Sequence, residues 1–126
     1  MDKITIEEYR KLTKPAKYGN RKVEHDGYVF DSAAEAARYR ELSLLENAGA
    51  ITDLRVHSRY ELQKAFQTAA GVRLSAIHYE SDFDYWERGK KIVEDVKGVE
   101  TAAFKLKRKL FLYQYPQIEL RVLKVK

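Results

Sequence analysis

Two stretches in the second half of the chain constrain its architecture most. In Ile77–Trp86, the odd positions Ile77, Tyr79, Ser81, Phe83 and Tyr85 alternate with His78, Glu80, Asp82, Asp84 and Trp86. In Lys91–Lys97, Val93, Asp95 and Lys97 alternate with Ile92, Glu94 and Val96. Successive side chains of a strand point to opposite faces, so a period of two marks extended chain. Arg88-Gly89 between them marks a turn. The two stretches are therefore predicted as adjacent strands, with the odd positions of the first one buried.

The rest of the chain supplies what flanks such a pair. Thr5-Ile6-Glu7-Glu8 fits a capping box and predicts a short helix over about 6–12. Pro15 and Gly19-Asn20 mark a loop. Asp26-Gly27 between Arg21–His25 and Tyr28–Phe30 predicts a hairpin, because Asp-Gly accepts the positive φ of a type I′ turn. A helix over about 32–48 starts at Asp31 or Ser32. It carries Ala37, Leu44, Leu45 and Ala48 near one stripe and ends at Asn47 and Gly49. Ile51–His57 and Arg59–Phe66 read as strands, and Val72–Trp86 as one long extended segment with Gly71 in the turn before it. A second helix over about 102–114 turns Phe104, Leu110 and Phe111 inward, and Pro116 stops it. Ile118–Val125 alternates again and reads as the last strand. The order predicts an α/β fold, a mixed sheet flanked by helices.

Composition bounds the chemistry. The chain has 126 residues and no cysteine, so disulfide scaffolds, thiolate zinc sites and cysteine nucleophiles are excluded. No apolar run approaches the roughly 20 residues that span a bilayer, and Met1-Asp2-Lys3-Ile4 lacks the apolar stretch of a signal peptide. The expectation is a cytoplasmic protein with no membrane partner. The net charge is +5, but its placement says more than its size. Residues 97–126 hold eight basic residues against two acids, whereas residues 1–96 come to −1. A second basic run comprises Arg10, Lys11, Lys14, Lys17, Arg21 and Lys22. The acids gather at Glu80, Asp82, Asp84 and Glu87, then at Glu94 and Asp95.

Strand alternation gives these acids a chemical reading. Asp95 and Lys97 share a face, and Asp82 stands on the neighbouring strand. Two carboxylates on adjacent strands can hold Mg²⁺, which takes oxygen ligands and binds through one or two carboxylates plus substrate phosphate. A lysine two residues on can stabilise charge developing on a phosphate. Plainer readings stand beside this one. Asp95 and Lys97 also make a surface ion pair, and strand acids such as Asp82 and Asp84 are commonly solvated. A bulge would put Glu94 in the place of Asp95. Arg38 follows Glu35 by three residues, the spacing of an ordinary helix-surface pair. His25, His57 and His78 have no metal-ligand spacing and read as structural or exposed.

Ser81-Asp82, a turn, and Asp95-Val96-Lys97 resemble the signature of the PD-(D/E)XK, or restriction-endonuclease-like, nuclease superfamily, with serine in place of its proline. The likeness extends over residues 18–125 to a small phage-encoded family of unassigned function within that superfamily. Its further elements are Tyr18-Gly19-Asn20, Phe30-Asp31-Ser32, Glu35-Ala36-Ala37-Arg38-Tyr39, Val93–Gly98, Phe104–Phe111 and Tyr115-Pro116. The resemblance implies an αβββαβ core, with residues 1–17 as a basic arm before a single nuclease domain, 18–126. It implies a metal-dependent endonuclease hydrolysing DNA phosphodiester bonds in phage recombination, repair or replication, with Mg²⁺ as cofactor and Mn²⁺ as a substitute. Asp82 and Asp95 would hold the metal, Lys97 would be the catalytic lysine, and Glu35 an additional metal carboxylate. Ser32-x-x-Glu35 is equally a capping box. Lys105, Lys107, Arg108 and Lys109, with Lys17, Arg21 and Lys22, are the expected DNA contacts. A junction-resolving enzyme of this kind would act as a two-fold dimer. The alternative is a non-catalytic DNA-binding accessory protein in the host cytoplasm.

Overall fold

The computed structural model describes residues 22–125. The expected N-terminal helix, Lys17 and Arg21 lie outside the described residues. The described residues divide into two compact units after Ala36, within the first turn of a helix.

In the first unit, β1 (Val23–His25) pairs antiparallel with β2 (Tyr28–Phe30), Val23 opposite Phe30 and His25 opposite Tyr28. Asp26 and Gly27 between them have φ of 52° and 82°. Two positive φ values make the type I′ turn whose twist matches the strands it joins. Helix α1 (Ala33–Asn47) begins here, where Ser32 Oγ accepts the Glu35 N–H at 3.1 Å.

In the second unit, α1 ends by a C-terminal glycine motif. Gly49 takes φ 80°, the Ala50 N–H donates to Leu45 O at 2.9 Å, and the Gly49 N–H to Glu46 O at 3.0 Å. From there β3 (Thr52–Val56), β4 (Arg59–Gln63) and β5 (Phe66–Gln67) run out. Then β6 (Arg73–Leu74), β7 (Ile77–Glu80) and β8 (Phe83–Glu87) run back against them. Strand β9 (Lys90–Lys97) follows, then α2 (Ala102–Gln114) and β10 (Glu119–Lys124). The main sheet has the order β10-β9-β8-β3. Strands β3, β8 and β9 form an antiparallel meander; β10 returns parallel to β9 after the crossover through α2. Thr101 caps α2, its Oγ1 accepting the Phe104 N–H at 3.1 Å.

Each face of the sheet is covered by its own helix. On one face Tyr39 of α1 stacks on Phe83 at 6.4 Å. On the other, Val93, Leu62 and Tyr79 pack with Phe104 and Phe111 of α2, flanked by Tyr60, Leu120 and Val122. Phe111 touches Tyr60, Tyr79 and Tyr115 with ring centres 5.0 to 5.1 Å apart. Burying such a ring contributes roughly 1.5–3 kcal/mol.

Three expectations need correction. The segment 72–86 is not one strand: it breaks at residues 75–76 and at 81–82, and Ile77 is exposed rather than buried. The strand from Arg59 stops at Gln63 and resumes at Phe66. On α1 the buried positions are Glu35, Ala36, Tyr39 and Leu42, and Leu44 and Leu45 are exposed. The alanine-rich helix has too little apolar contrast for its sequence to reveal that face, which is partly polar. Among the described residues, no helix is long and apolar enough to cross a membrane.

Candidate functional site

The break at residues 81–82 is what builds the site. Up to Phe83, which lies opposite Glu94, β8 keeps its ladder with β9. Beyond it the chain bends away toward β4: the Ser81 N–H donates to Ser58 O at 2.9 Å and the His57 N–H to Asp82 O at 3.0 Å. A strand that leaves its neighbour strands backbone groups, and buried ones need partners. Aspartate side chains provide them. The Val96 N–H donates to Asp82 Oδ2 at 2.7 Å. The Asp82 N–H is shared between Glu94 O at 3.2 Å and Asp95 Oδ1 at 3.3 Å. Asp82 and Asp95 are thus each fixed by the backbone beside the other.

Lys97 belongs to the same face as Asp95, two residues along β9. Its Nζ lies 3.8 Å from Asp95 Oδ1 and 4.6 Å from the centre of the Phe104 ring, with the side chain 28% exposed. The ring and the carboxylate together hold the ammonium at the site. His57, at the opposite side of the break, takes φ 56°. One of its ring nitrogens and one carboxylate oxygen of Asp82 lie within 4.8 Å of each other. From the sequence His57 reads as structural or exposed, because the spacing of 25 residues to Asp82 acquires meaning only through the ribbon's register.

Glu94, fully buried, points to the opposite face. Arg38 grips it with two hydrogen bonds, Nε to Oε1 at 2.8 Å and Nη2 to Oε2 at 2.7 Å, and the Tyr85 hydroxyl donates to Oε2. That hydrogen bond to Glu94 raises the Arg38 pKa further above its already high value. Burial, then the bond to Glu94, pushes the Tyr85 hydroxyl up as well. Arg38 also pairs with Glu41, three residues further along α1, at 2.9 Å.

Asp84 is likewise fully buried and anchors a third constellation. Arg55 donates to both its oxygens at 2.8 and 3.1 Å, Tyr60 to Oδ2 at 2.7 Å and Lys91 to Oδ1 at 3.2 Å. Burial works to raise its pKa, but the hydrogen bonds from Arg55, Ser58 and Tyr60 and the charge of Lys91 outweigh it, and the net shift is downward. This clamp ties β3, β4, β8 and β9 together.

Glu35 sits in the first unit, buried, with Oε2 accepting the Asp31 N–H at 3.3 Å. It serves the helix start, although its reciprocal bond reaches Asp31 rather than the capping residue Ser32. On α2, Lys105 and Lys109 are exposed and Lys107 is half-buried. Arg108 is tied to Glu100 at 2.7 Å and lies 5.4 Å from the Phe104 ring centre. Hydrogen bonds from Lys124 and Arg108 hold the Glu100 carboxyl below its usual range. Lys22 is exposed ahead of β1.

The donor set suits a hard divalent cation. It offers carboxylates with a neighbouring imidazole and no thiolate, which favours Mg²⁺ or Mn²⁺ over soft metals.

These elements define a mixed α/β protein whose mixed sheet carries an Asp–Asp–Lys group at the point where two strands part. The chain belongs to the family described as "Protein of unknown function (DUF1064)", whose model matches residues 15–126. No curated protein and no solved structure matches it.

Proposed function

We propose that this protein is a metal-dependent endonuclease that hydrolyses DNA phosphodiester bonds on a restriction-endonuclease-like core. The observation that carries the reading is the meeting of Asp82, Asp95 and Lys97 at the parting of β8 and β9. A solvated strand face would not need two aspartates each held by a backbone N–H, Asp82 by that of Val96 and Asp95 by that of Asp82, or a lysine held beside them. The strand order lends support: one helix, three antiparallel strands, a crossover helix and a parallel strand is the αβββαβ succession the resemblance implies.

Asp82 and Asp95 would hold Mg²⁺. When bound, the cation supplies Lewis-acid polarisation of the phosphate and a lowered pKa for water. The chain's own groups do the rest. Backbone amides fix the orientation of both aspartates before substrate arrives. Lys97, held 3.8 Å from Asp95, meets the negative charge that develops on the phosphate oxygens. Lys105 and Lys109 contact the flanking phosphates from α2.

The test uses supercoiled plasmid, a four-way junction and a mismatched duplex, each with Mg²⁺, Mn²⁺ or chelator. Cutting that requires metal and disappears in Asp82→Asn and Lys97→Ala is the expected result. Binding without cutting on every substrate overturns the reading in favour of an accessory DNA-binding protein.

A further inference from the structure

Trp86 stands at the end of the β8–β9 hairpin far from Asp82. It is the chain's single tryptophan and is 41% exposed. Beside it opens a cleft of about 610 Å³ lined by Trp86, Arg88, Lys90, Lys91, Gln117 and Ile118. Among the described residues, that lining offers three cations and no carboxylate. A second cleft, of about 600 Å³, also borders Trp86, but Glu46 and Asp53 line it. Only the first suits an anion. Lys91 is engaged by Asp84 at 3.2 Å and lies 5.4 Å from the Trp86 ring centre. Lys90 reaches Glu119 at 3.6 Å, an exposed pair of the kind that is weak and readily exchanged. Arg88 and Lys90 are therefore the cations a ligand can recruit.

The turn carrying Arg88 is an independent sign. Arg88 and Gly89 have φ of 50° and 75° and link Glu87 to Lys90, a two-residue turn of type I′. Asn, Asp or Gly is favoured at its first position, and the β1–β2 hairpin uses Asp26 there. A long side chain in this conformation is uncommon and costs backbone energy. Such conformations cluster at functional positions. Here the cost places a guanidinium in the wall of an aromatic cleft.

We propose that this cleft holds a segment of single-stranded nucleic acid, one base stacked on Trp86 and its phosphates on Arg88 and Lys90. An exposed indole with cations beside it is the combination that holds unpaired strands without reading their sequence. A duplex keeps its bases within the stack and cannot present one to the indole. The site goes beyond the cleavage reading and does not depend on it, since binding here needs no metal.

The full-length protein is titrated in EDTA with an oligothymidylate of about 12 nucleotides, a length within the usual site sizes. Emission from Trp86 reports directly. Saturable quenching that weakens with salt is expected. An abasic phosphodiester strand of equal length should leave the emission unchanged, and thymidine monophosphate should bind at least ~10-fold more weakly, as expected when contacts along the strand add to one stacked base. Arg88→Asn puts a favoured residue in the turn, so its melting temperature should hold or rise while affinity for the strand falls several-fold. Lys90→Ala should weaken binding in the same sense. Absence of quenching, equal quenching by the abasic strand, equal affinity for the mononucleotide, or unchanged affinity in Arg88→Asn each overturns the proposal. Loss of cleavage with strand binding intact would count against the nuclease reading alone.

Discussion

Glu94 and Asp95 are consecutive on β9 and serve opposite faces of the sheet: Glu94 is gripped by Arg38 from α1, while Asp95 accepts the Asp82 N–H beside Lys97. Both side chains are fully buried, so burial alone does not separate their roles; their partners do. Glu94→Ala leaves Arg38 and the Tyr85 hydroxyl without their acceptor and should cost about 1–3 kcal/mol. Asp95→Asn keeps the size and an acceptor oxygen, and should change stability by no more than about 1 kcal/mol. Metal-dependent cleavage should fall about 10²–10³-fold in Asp95→Asn. Denaturant melts and plasmid nicking, run on both variants, check the contrast. Equal unfolding in the two would remove it.

Asp84 gives the fold a dependence on acid. Its native pKa lies below the ordinary carboxylate value, because Arg55, Ser58, Tyr60 and Lys91 together overcome the effect of burial. A group with a depressed native pKa stabilises the fold above its unfolded pKa, near 4 for aspartate. That contribution is lost as pH falls through the native value. Melting temperatures measured from pH 6 down to about pH 2.5 should therefore drop more steeply for the native chain than for Asp84→Asn. The variant should start lower at pH 6 and converge with the native chain in acid. Parallel curves would mean that the clamp does not depend on the charge of Asp84.

The sequence made some of this legible and hid the rest for physical reasons. Asp26-Gly27 identified its hairpin because few residue pairs accept two positive φ values. Helix α2 was legible over its whole span, since Phe104, Leu110 and Phe111 mark one face and Pro116 stops it, while its cap, Thr101, emerges only in the structure. Alternation along β9 correctly placed Asp95 and Lys97 on one face. Alternation cannot say what covers a face, however. Asp84 reads as a solvated strand acid, yet Arg55 and Tyr60 close over it from the partner strands. Nor does it reveal a break such as that at Ser81-Asp82, which depends on how residues 57–58 pair. The nearness of His57 to Asp82 follows from that break and has no signal in spacing.

Glu35 has one duty visible in its hydrogen bonds and another, as a metal carboxylate, that the resemblance implies, and a conservative change separates them. Its Oε2 holds the Asp31 N–H at the start of α1. Glutamine serves at this position of a capping box as well as glutamate does. Glu35→Gln should therefore keep the melting temperature close to native, while Mn²⁺ affinity falls at least ~10-fold, as removal of a charged ligand from a carboxylate site implies. Glu35→Ala should lose affinity and also about 1 kcal/mol of stability with the cap. Calorimetric Mn²⁺ titration alongside thermal melts distinguishes them. Native Mn²⁺ affinity in Glu35→Gln would confine the residue to its cap.

The cations of α2 are not equivalent. Arg108 is engaged by Glu100 at 2.7 Å, whereas Lys105 and Lys109 are exposed. Each phosphate contact contributes about 0.9 to the slope of log affinity against log salt for duplex DNA. The double variant Lys105→Ala, Lys109→Ala should lower that slope by roughly 1.8, while Arg108→Ala lowers it by less than about 0.9. Anisotropy of a labelled duplex between 50 and 200 mM salt measures both. A larger loss in Arg108→Ala would mean that DNA displaces Glu100.

Lys97 poses the sharpest question of geometry. Its ammonium is held between Asp95 Oδ1 at 3.8 Å and the Phe104 ring at 4.6 Å, so its position depends on α2 as well as on β9. Lys97→Ala removes a partly exposed charge and should cost about 1 kcal/mol or less in stability. Loss of a donor aimed at developing charge costs about 10²–10³-fold in turnover. Lys97→Arg keeps the charge but spreads it over a planar fork that the space above Phe104 was not shaped for, and should recover only part of that loss. Phe104→Leu leaves the lysine in place chemically and removes the ring that steadies it. It should lower cleavage by less than Lys97→Ala does, about 10-fold, with affinity for substrate unchanged. Single-turnover rates at saturating DNA separate the chemical step from binding. Full activity in Lys97→Ala would remove the lysine from the mechanism and leave the two aspartates to account for cleavage alone.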